Sequence, residues 1–150
     1  MTNAPSVDRT ARQTFLQRLC YLDGPLIAQA LVKNRPLIKK ILENAYLSRN
    51  FWGNPHHPKA KGWAAEDANY LDKNFREHQY CKILNQAMDR LFVLRGQLVH
   101  GGATGGGKLN RRSLQNCLAL LRALLPMLLS IVIEKAGDDE WPELCYPPVD

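Results

Sequence analysis

The sequence predicts an all-α fold, and three of its features support that prediction. Apolar residues recur every third or fourth position, and no run alternates between apolar and polar residues as a half-buried strand would. Groups of glycine and proline interrupt this helical pattern. The 150 residues, 45% of them hydrophobic, suffice for one domain with its own core. We therefore expect a single bundle of four to five helices over residues 1–136, followed by an irregular acidic tail over 137–150.

Helix-breaking residues set the predicted boundaries. The breakers at 23–25 end the first helix, and Asn34 is the expected N-cap of a helix that begins with proline in its first turn. Residues 50–62 are predicted to form a loop. The glycine-rich stretch 101–107 is also a predicted loop, because each glycine costs a helix about 1 kcal/mol, and Asn110 is the expected cap of the last helix. The predicted helical segments are 9–22, 25–32, 34–47, 63–75, 77–99 and 110–135.

Charge is distributed unevenly along the chain. All 20 lysines and arginines lie within residues 1–135, together with nine acidic residues, whereas the last 15 residues hold five acids and no base. A basic body suits a polyanionic partner such as RNA. Basic surfaces are also common on proteins that bind no nucleic acid, so charge alone leaves both interpretations open.

The cysteines and the N-terminus predict a cytoplasmic protein. The four cysteines are far apart in sequence and include no CxxC pair, which fits neither a zinc site nor a disulfide framework. Reduced thiols in the cytosol are the simpler interpretation. The first residues are too polar for a secretory signal. The cysteines are Cys20, Cys81, Cys117 and Cys145.

The last helix is unusually apolar. Residues 117–133 approach the length of a membrane span, but Arg122 and Pro126 interrupt them, and a buried helix is the preferred interpretation. Two neighbouring stripes cover more than the apolar face that a surface helix needs, so the helix is expected to bury a second side in its own core or against a second copy. The stripes are Leu114, Leu118, Leu121, Leu125, Leu128 and Val132, and Cys117, Leu120, Leu124, Met127 and Ile131.

Arg95 is the first candidate functional residue. It continues an apolar stripe between Leu91 and Leu98, where a guanidinium needs either a counter-charge or an anionic ligand. The structural interpretation is an internal salt bridge to a carboxylate such as Glu77 or Asp89. The functional interpretation is a grip on phosphate.

His100 is the second candidate and stands where glycines end the helix. Five residues place it about 140° around a regular helix from Arg95, so one chain does not bring the pair together. A two-fold partner could do so, and Gly96 could permit close approach of another backbone. The alternative for His100 is a residue that only caps the helix or neutralises its dipole.

The segment that contains this pair resembles a known family. Arg95 to His100 matches the R-x4-6-H signature of the HEPN superfamily, and LRGQLVHGGATGGGKLNRRSL is similar to Apea-like HEPN proteins. The ending DDEWPELCYPPV is also similar to theirs. The first half of the chain agrees only in being helical. Two positions differ from the family: Gly96, where active relatives carry a polar residue, and Gly102, where some toxins carry a tyrosine that their antitoxins modify.

The resemblance implies a bundle that dimerises through the motif helix and the last helix. It implies a metal-independent endoribonuclease of toxin–antitoxin or anti-phage defence, with RNA as substrate, Arg95 and His100 as catalytic residues, no cofactor, and an antitoxin or defence-system partner protein. The alternative is a catalytically inactive HEPN dimer that binds RNA, a nucleotide or a protein partner. The other candidate substrate-binding residues are Gln97, Lys108, Arg111 and Arg112.

Three further patterns have simpler explanations. The stretch 102–108 fits the start of a P-loop but is followed by Leu109 where a magnesium-binding hydroxyl is required. His56 and His57 lack a third ligand nearby, so a surface loop is preferred over a metal site. Aromatic residues of the basic loop could stack on bases, but packing onto the bundle is the preferred interpretation. These aromatic residues are Phe51, Trp52 and Trp63.

Overall fold

The computed structural model describes residues 4–99, 108–135 and 137. Within those residues the chain forms α-helices and one 3-10 turn and contains no strand, which confirms the predicted all-α class. The described part of the chain has seven helices rather than the predicted four to five. Their bounds are α1 Ala4–Leu22, α2 Gly24–Lys33, α3 Arg35–Glu43, α4 Arg49–Gly53, α5 Gly62–Arg76, α6 Tyr80–Val99 and α7 Lys108–Glu134, with the 3-10 turn at Ala45–Leu47.

Asparagine side chains explain how α2 and α3 end. Asn44 accepts a hydrogen bond from the Tyr46 amide at 3.0 Å, which ends α3 and starts the 3-10 turn inside the predicted helix 34–47. Asn34 occupies the N-cap position of α3, as predicted, but its side chain makes no capping hydrogen bond there. Its amide instead donates to the Ala30 carbonyl at 2.8 Å and closes α2. The predicted stop at 23–25 is confirmed, because Asp23 ends α1 and caps the start of α2.

Other boundaries differ because local backbone geometry outweighs the periodic pattern. The predicted loop 50–62 overlaps α4, which begins at Arg49. The predicted helix 77–99 begins only at Tyr80, since His78 has a left-handed φ of 55°. Asn110 lies within α7, so its predicted role as N-cap is wrong. The predicted loop at 101–107 and the tail at 138–150 lie outside the described residues.

The core is formed by one face of every long helix. Leucine and isoleucine dominate it, as expected for helices that interlock through regularly spaced branched side chains. The fully buried side chains include Leu19, Ile27, Leu31, Ile38, Leu42, Leu71, Ile83, Leu84, Leu120 and Leu124.

The two apolar stripes of α7 have different environments. The stripe from Cys117 to Ile131 is in the core, with Leu120 and Leu124 fully buried. The other stripe is exposed from Leu114 to Leu125, and its last two residues, Leu128 and Val132, are buried and partly buried. The prediction that α7 buries one side in its own core is therefore confirmed, and its second side is uncovered in the single chain. The exposed leucines are Leu114, Leu118, Leu121 and Leu125, at 36–44% of full exposure.

The segment Arg111–Glu134 is long and apolar enough to cross a membrane by length and composition alone. The core helix of a soluble protein passes the same test, and α7 contributes such residues to this core. Arg122 is exposed within the segment. The absence of a membrane partner stays a prediction.

Two cysteines that are distant in sequence meet in the fold. Burial is the main cause that raises the pKa of the Cys20 thiol on α1, and the neighbouring thiol of Cys81 on α6 raises it further. Burial also raises the pKa of Cys117 to about 11. Raised values keep the thiols protonated and poorly nucleophilic. Within the described residues, no group of three or more potential metal ligands is found.

Neighbouring residues on α2 provide a test of this core. Leu31 is fully buried, and Leu31→Ala is expected to lower the free energy of unfolding by about 2–5 kcal/mol because it leaves a cavity. Val32 is 53% exposed, and Val32→Ala should change it by less than about 0.5 kcal/mol. Urea denaturation of both variants measures the difference. An equal loss of unfolding free energy in the two variants would contradict the assignment of Leu31, and not Val32, to the core.

Candidate functional site

Arg95 lies on the exposed side of the C-terminal half of α6. Its side chain is exposed, and three large apolar residues share this face at helical spacing: Phe92, Leu98 and Val99, at 36%, 51% and 67% of full exposure. The apolar stripe of α6 therefore continues beyond the part of the helix that packs into the core. The inference that Arg95 belongs to a buried face is wrong, because the pattern marks an apolar surface there.

The proposed internal salt bridge of Arg95 is also wrong within the described residues. Asp89, one expected partner, instead accepts from Arg12 at 3.0 Å and from Arg49 at 2.8 Å. Glu77 is exposed and forms no ion pair with the guanidinium of Arg95 in the described part of the chain. Arg95 thus presents an exposed cation to any ligand that reaches this face of α6.

Gln97 ties the end of α6 to the turn that follows α3. Its side-chain amide donates to the Tyr46 carbonyl at 2.5 Å, and the same oxygen accepts from the Trp52 indole at 2.7 Å. These bonds occupy the donor of Gln97, so its geometry favours a structural role in holding α6 in place. The predicted role in substrate binding stays a prediction.

The start of α7 is attached to the same turn. Asn44 donates to the Ser113 hydroxyl at 2.6 Å, two residues before the carbonyl that holds Gln97. The end of α6 and the beginning of α7 are therefore anchored at one end of the bundle. Arg111 and Arg112 are exposed in the first turns of α7 at that end. His100 and the side chain of Lys108 lie outside what the structure describes.

The basic loop and its aromatic residues pack against the bundle. Phe51 is 6% exposed, and the Phe51 and Trp52 rings meet edge to face with their centroids 5.0 Å apart. The Trp63 ring lies 5.0 Å from that of His57. This confirms the packing interpretation for Phe51, whereas Trp52 keeps 46% exposure. His56 and His57 are exposed, as predicted for a surface loop.

The sequence did not predict an arginine-rich cavity that the structure contains. It lies between α1, the start of α4, α5 and α6, and has a volume of about 270 Å³. Arg90 is only 5% exposed beside it, where its guanidinium donates to Asp67 at 2.6 Å and to the Leu47 carbonyl at 3.3 Å. Neighbouring charges of opposite sign at 89 and 90 look like an ordinary solvated helix face, so sequence alone gives no signal for this site.

Comparisons of the chain with models of protein families, with curated proteins and with solved structures find no match.

Proposed function

We propose that this chain is a metal-independent endoribonuclease of HEPN type that works as a homodimer in cytoplasmic toxin–antitoxin or anti-phage defence. The observation that carries the proposal is the exposed Arg95, which forms no ion pair with a described residue and stands five positions before His100. A guanidinium left available in this way is suited to bind phosphate in two parallel hydrogen bonds.

The residues suit cleavage by the neighbouring ribose hydroxyl. His100 takes the proton from a 2′-OH, the freed oxygen attacks the adjacent phosphorus, and the bond to the 5′-oxygen breaks. The 5′-oxygen leaves with a proton supplied by an imidazolium, which the second His100 of a dimer can provide. Arg95 stabilises the negative charge that builds on the non-bridging oxygens. The products are a 2′,3′-cyclic phosphate and a 5′-hydroxyl.

A second copy is the proposed means of bringing the two residues together. The positions of Arg95 and His100 differ by about 140° around a regular helix, so the two residues of one chain would face different directions. The exposed leucines of α7 and the apolar residues around Arg95 offer surfaces for a two-fold contact. Arg111 and Arg112, at the end of the bundle where α6 ends, can extend the contact with RNA phosphates.

The chemistry predicts which substrates are cut and what remains. Purified protein is expected to cleave single-stranded RNA in excess EDTA and to leave 2′,3′-cyclic phosphate ends, which mass spectrometry of the fragments identifies. An oligonucleotide of the same sequence with 2′-deoxyribose throughout is the control and should stay intact, because it lacks the nucleophile. Equal cleavage of that control, or RNA that stays intact, would contradict the proposal.

Gly96 favours the second candidate, an inactive HEPN dimer that binds RNA, a nucleotide or a protein partner. A Cβ built at Gly96 meets nothing within 4 Å, so no contact within the described chain requires glycine there. The polar residue that active relatives carry would therefore fit. Salt-sensitive RNA binding by the wild-type chain without turnover, with cleavage gained in Gly96→Asn, would support this alternative.

A further inference from the structure

Contacts between α1 and α6 bring Cys20 and Cys81 to the same level of the bundle. Arg12 of α1 donates to Asp89 of α6 at 3.0 Å and lies over the Phe92 ring at 3.9 Å. Cys20 stands eight residues after Arg12. Cys81 stands eight residues before Asp89, so both intervals advance about 12 Å along their helix axes. The ion pair and the neighbouring thiols therefore fit one antiparallel register of α1 against α6.

The cysteines also lie on the faces that the two helices turn towards each other. Gln13 of α1 and Asn85 of α6 line the same cavity between these helices. Cys20 follows Gln13 by about two helical turns, and Cys81 precedes Asn85 by about one turn, so each cysteine continues a facing stripe. The Asn85 side-chain amide donates to Cys81 Sγ at 3.6 Å, which places this sulfur along the same stripe.

Solvent reaches both cysteines of this pair. Cys20 and Cys81 are free thiols and partly exposed, whereas Cys117 is free but buried in the core. Burial, followed by the neighbouring thiol of Cys81, raises the pKa of Cys20, as expected for two sulfurs that lie close together. Neighbouring thiols that are accessible to a small oxidant can be joined into a disulfide, a reaction that a single buried thiol cannot undergo within its own chain.

We propose that Cys20 and Cys81 form a modification site at which hydrogen peroxide joins α1 to α6 through a reversible disulfide. The Cys81 sulfur attacks one peroxide oxygen, the O–O bond breaks, and the leaving hydroxide takes the thiol proton to form water and a sulfenic acid. The Cys20 sulfur then attacks the sulfenic sulfur, the S–O bond breaks, and the Cys20 proton leaves with the hydroxide as a second water. The two thiols lose two electrons and two protons, and the peroxide is reduced to two water molecules.

The surroundings of the two sulfurs favour Cys81 as the first to react. It stands in the first turn of α6, where the helix dipole stabilises negative charge, and its sulfur accepts the hydrogen bond from Asn85. The raised pKa of Cys20 keeps that thiol protonated and slow to react with peroxide in solution. Once Cys81 is a sulfenic acid, the neighbouring Cys20 attacks it without the delay of a bimolecular encounter.

Peptide mapping of the oxidised full chain tests the site. The protein is treated with hydrogen peroxide, blocked with N-ethylmaleimide, and isolated as a single chain on a denaturing gel without reductant before digestion with trypsin. We expect peptide 19–33 to be joined to peptide 77–82, two hydrogens lighter than their sum, and dithiothreitol to release both. The Tm should rise by about 5–15 °C, because the bond closes a loop of about 60 residues in the unfolded chain, and should return to its original value on reduction.

Serine variants identify the partners and the order of attack. Cys20→Ser and Cys81→Ser should each abolish the crosslink, whereas Cys145→Ser is the matched control and should retain it. In Cys20→Ser the sulfenic acid on Cys81 has no thiol to attack it and should be trapped by dimedone.

The map of the wild-type chain needs no variant to fold, and it is independent of ribonuclease activity. Full labelling of Cys20 and Cys81 by N-ethylmaleimide after peroxide treatment would overturn the proposal. A sulfinic acid on Cys81 beside a labelled Cys20, or a disulfide from peptide 19–33 to a different cysteine peptide, would do the same.

Discussion

Arg95→Ala is expected to lower the rate of RNA cleavage by about 10²–10³-fold, the usual loss when a group that stabilises transition-state charge is removed. The free energy of unfolding should change by less than about 0.5 kcal/mol, because the side chain is exposed and forms no ion pair with a described residue. Cleavage of a fluorescent RNA and urea denaturation measure the two quantities. A loss of cleavage activity with no loss of stability is what we expect of a residue that acts on the substrate.

Companion variants give this prediction its controls. His100→Ala should lower the cleavage rate by about 10²–10⁴-fold, as expected for a general acid or base, whereas His56→Ala, on the exposed loop, should leave it unchanged. Arg95→Lys should recover only part of the rate, since an ammonium cannot bind phosphate through two parallel bonds. A loss confined to KM in Arg95→Ala would mean that the arginine binds RNA without assisting the reaction.

Local signals in the sequence were enough to predict most of the helical framework. The spacing of Leu120, Leu124 and Ile131 predicts one buried face of α7, and these residues are in the core. Boundaries were harder to predict, because they depend on single hydrogen bonds. Asn34 and Asn44 are equally plausible caps by residue type, and only their backbone positions decide that Asn34 closes α2 while Asn44 starts the 3-10 turn.

The candidate site was predictable only where one segment carries it. The run from Arg95 to His100 is visible in sequence because its spacing and neighbours form a motif. The partners of Arg90 lie on α5 and at the end of the 3-10 turn, more than 20 residues away, so no local pattern reveals them. Periodicity also misassigned Arg95, because an apolar stripe looks the same whether the chain's own core or an exposed surface lies beside it.

Leu118→Glu is expected to convert the proposed dimer into a folded monomer and to abolish the cleavage that depends on it. Leu118 lies in the middle of the exposed row on α7 and is 42% exposed, so the single chain tolerates a carboxylate there. In a two-fold contact the same carboxylate would lose water without gaining a partner, at a cost of about 3–5 kcal/mol, which weakens association about 10²–10⁴-fold. Analytical ultracentrifugation and the RNA assay at matched concentrations measure both effects.

The control places the same charge one residue away. Ala119 is exposed but turned about 100° from Leu118 and outside the leucine row, so Ala119→Glu should remain a dimer with full activity. Because one α6 turns Arg95 and His100 apart, the proposed mechanism requires that loss of the dimer and loss of cleavage occur together in Leu118→Glu. A variant that dimerises normally would exclude this face of α7 as the interface. A monomer that still cuts RNA at the wild-type rate would show that one chain completes the site, and the arrangement of the catalytic pair across two subunits would then be wrong.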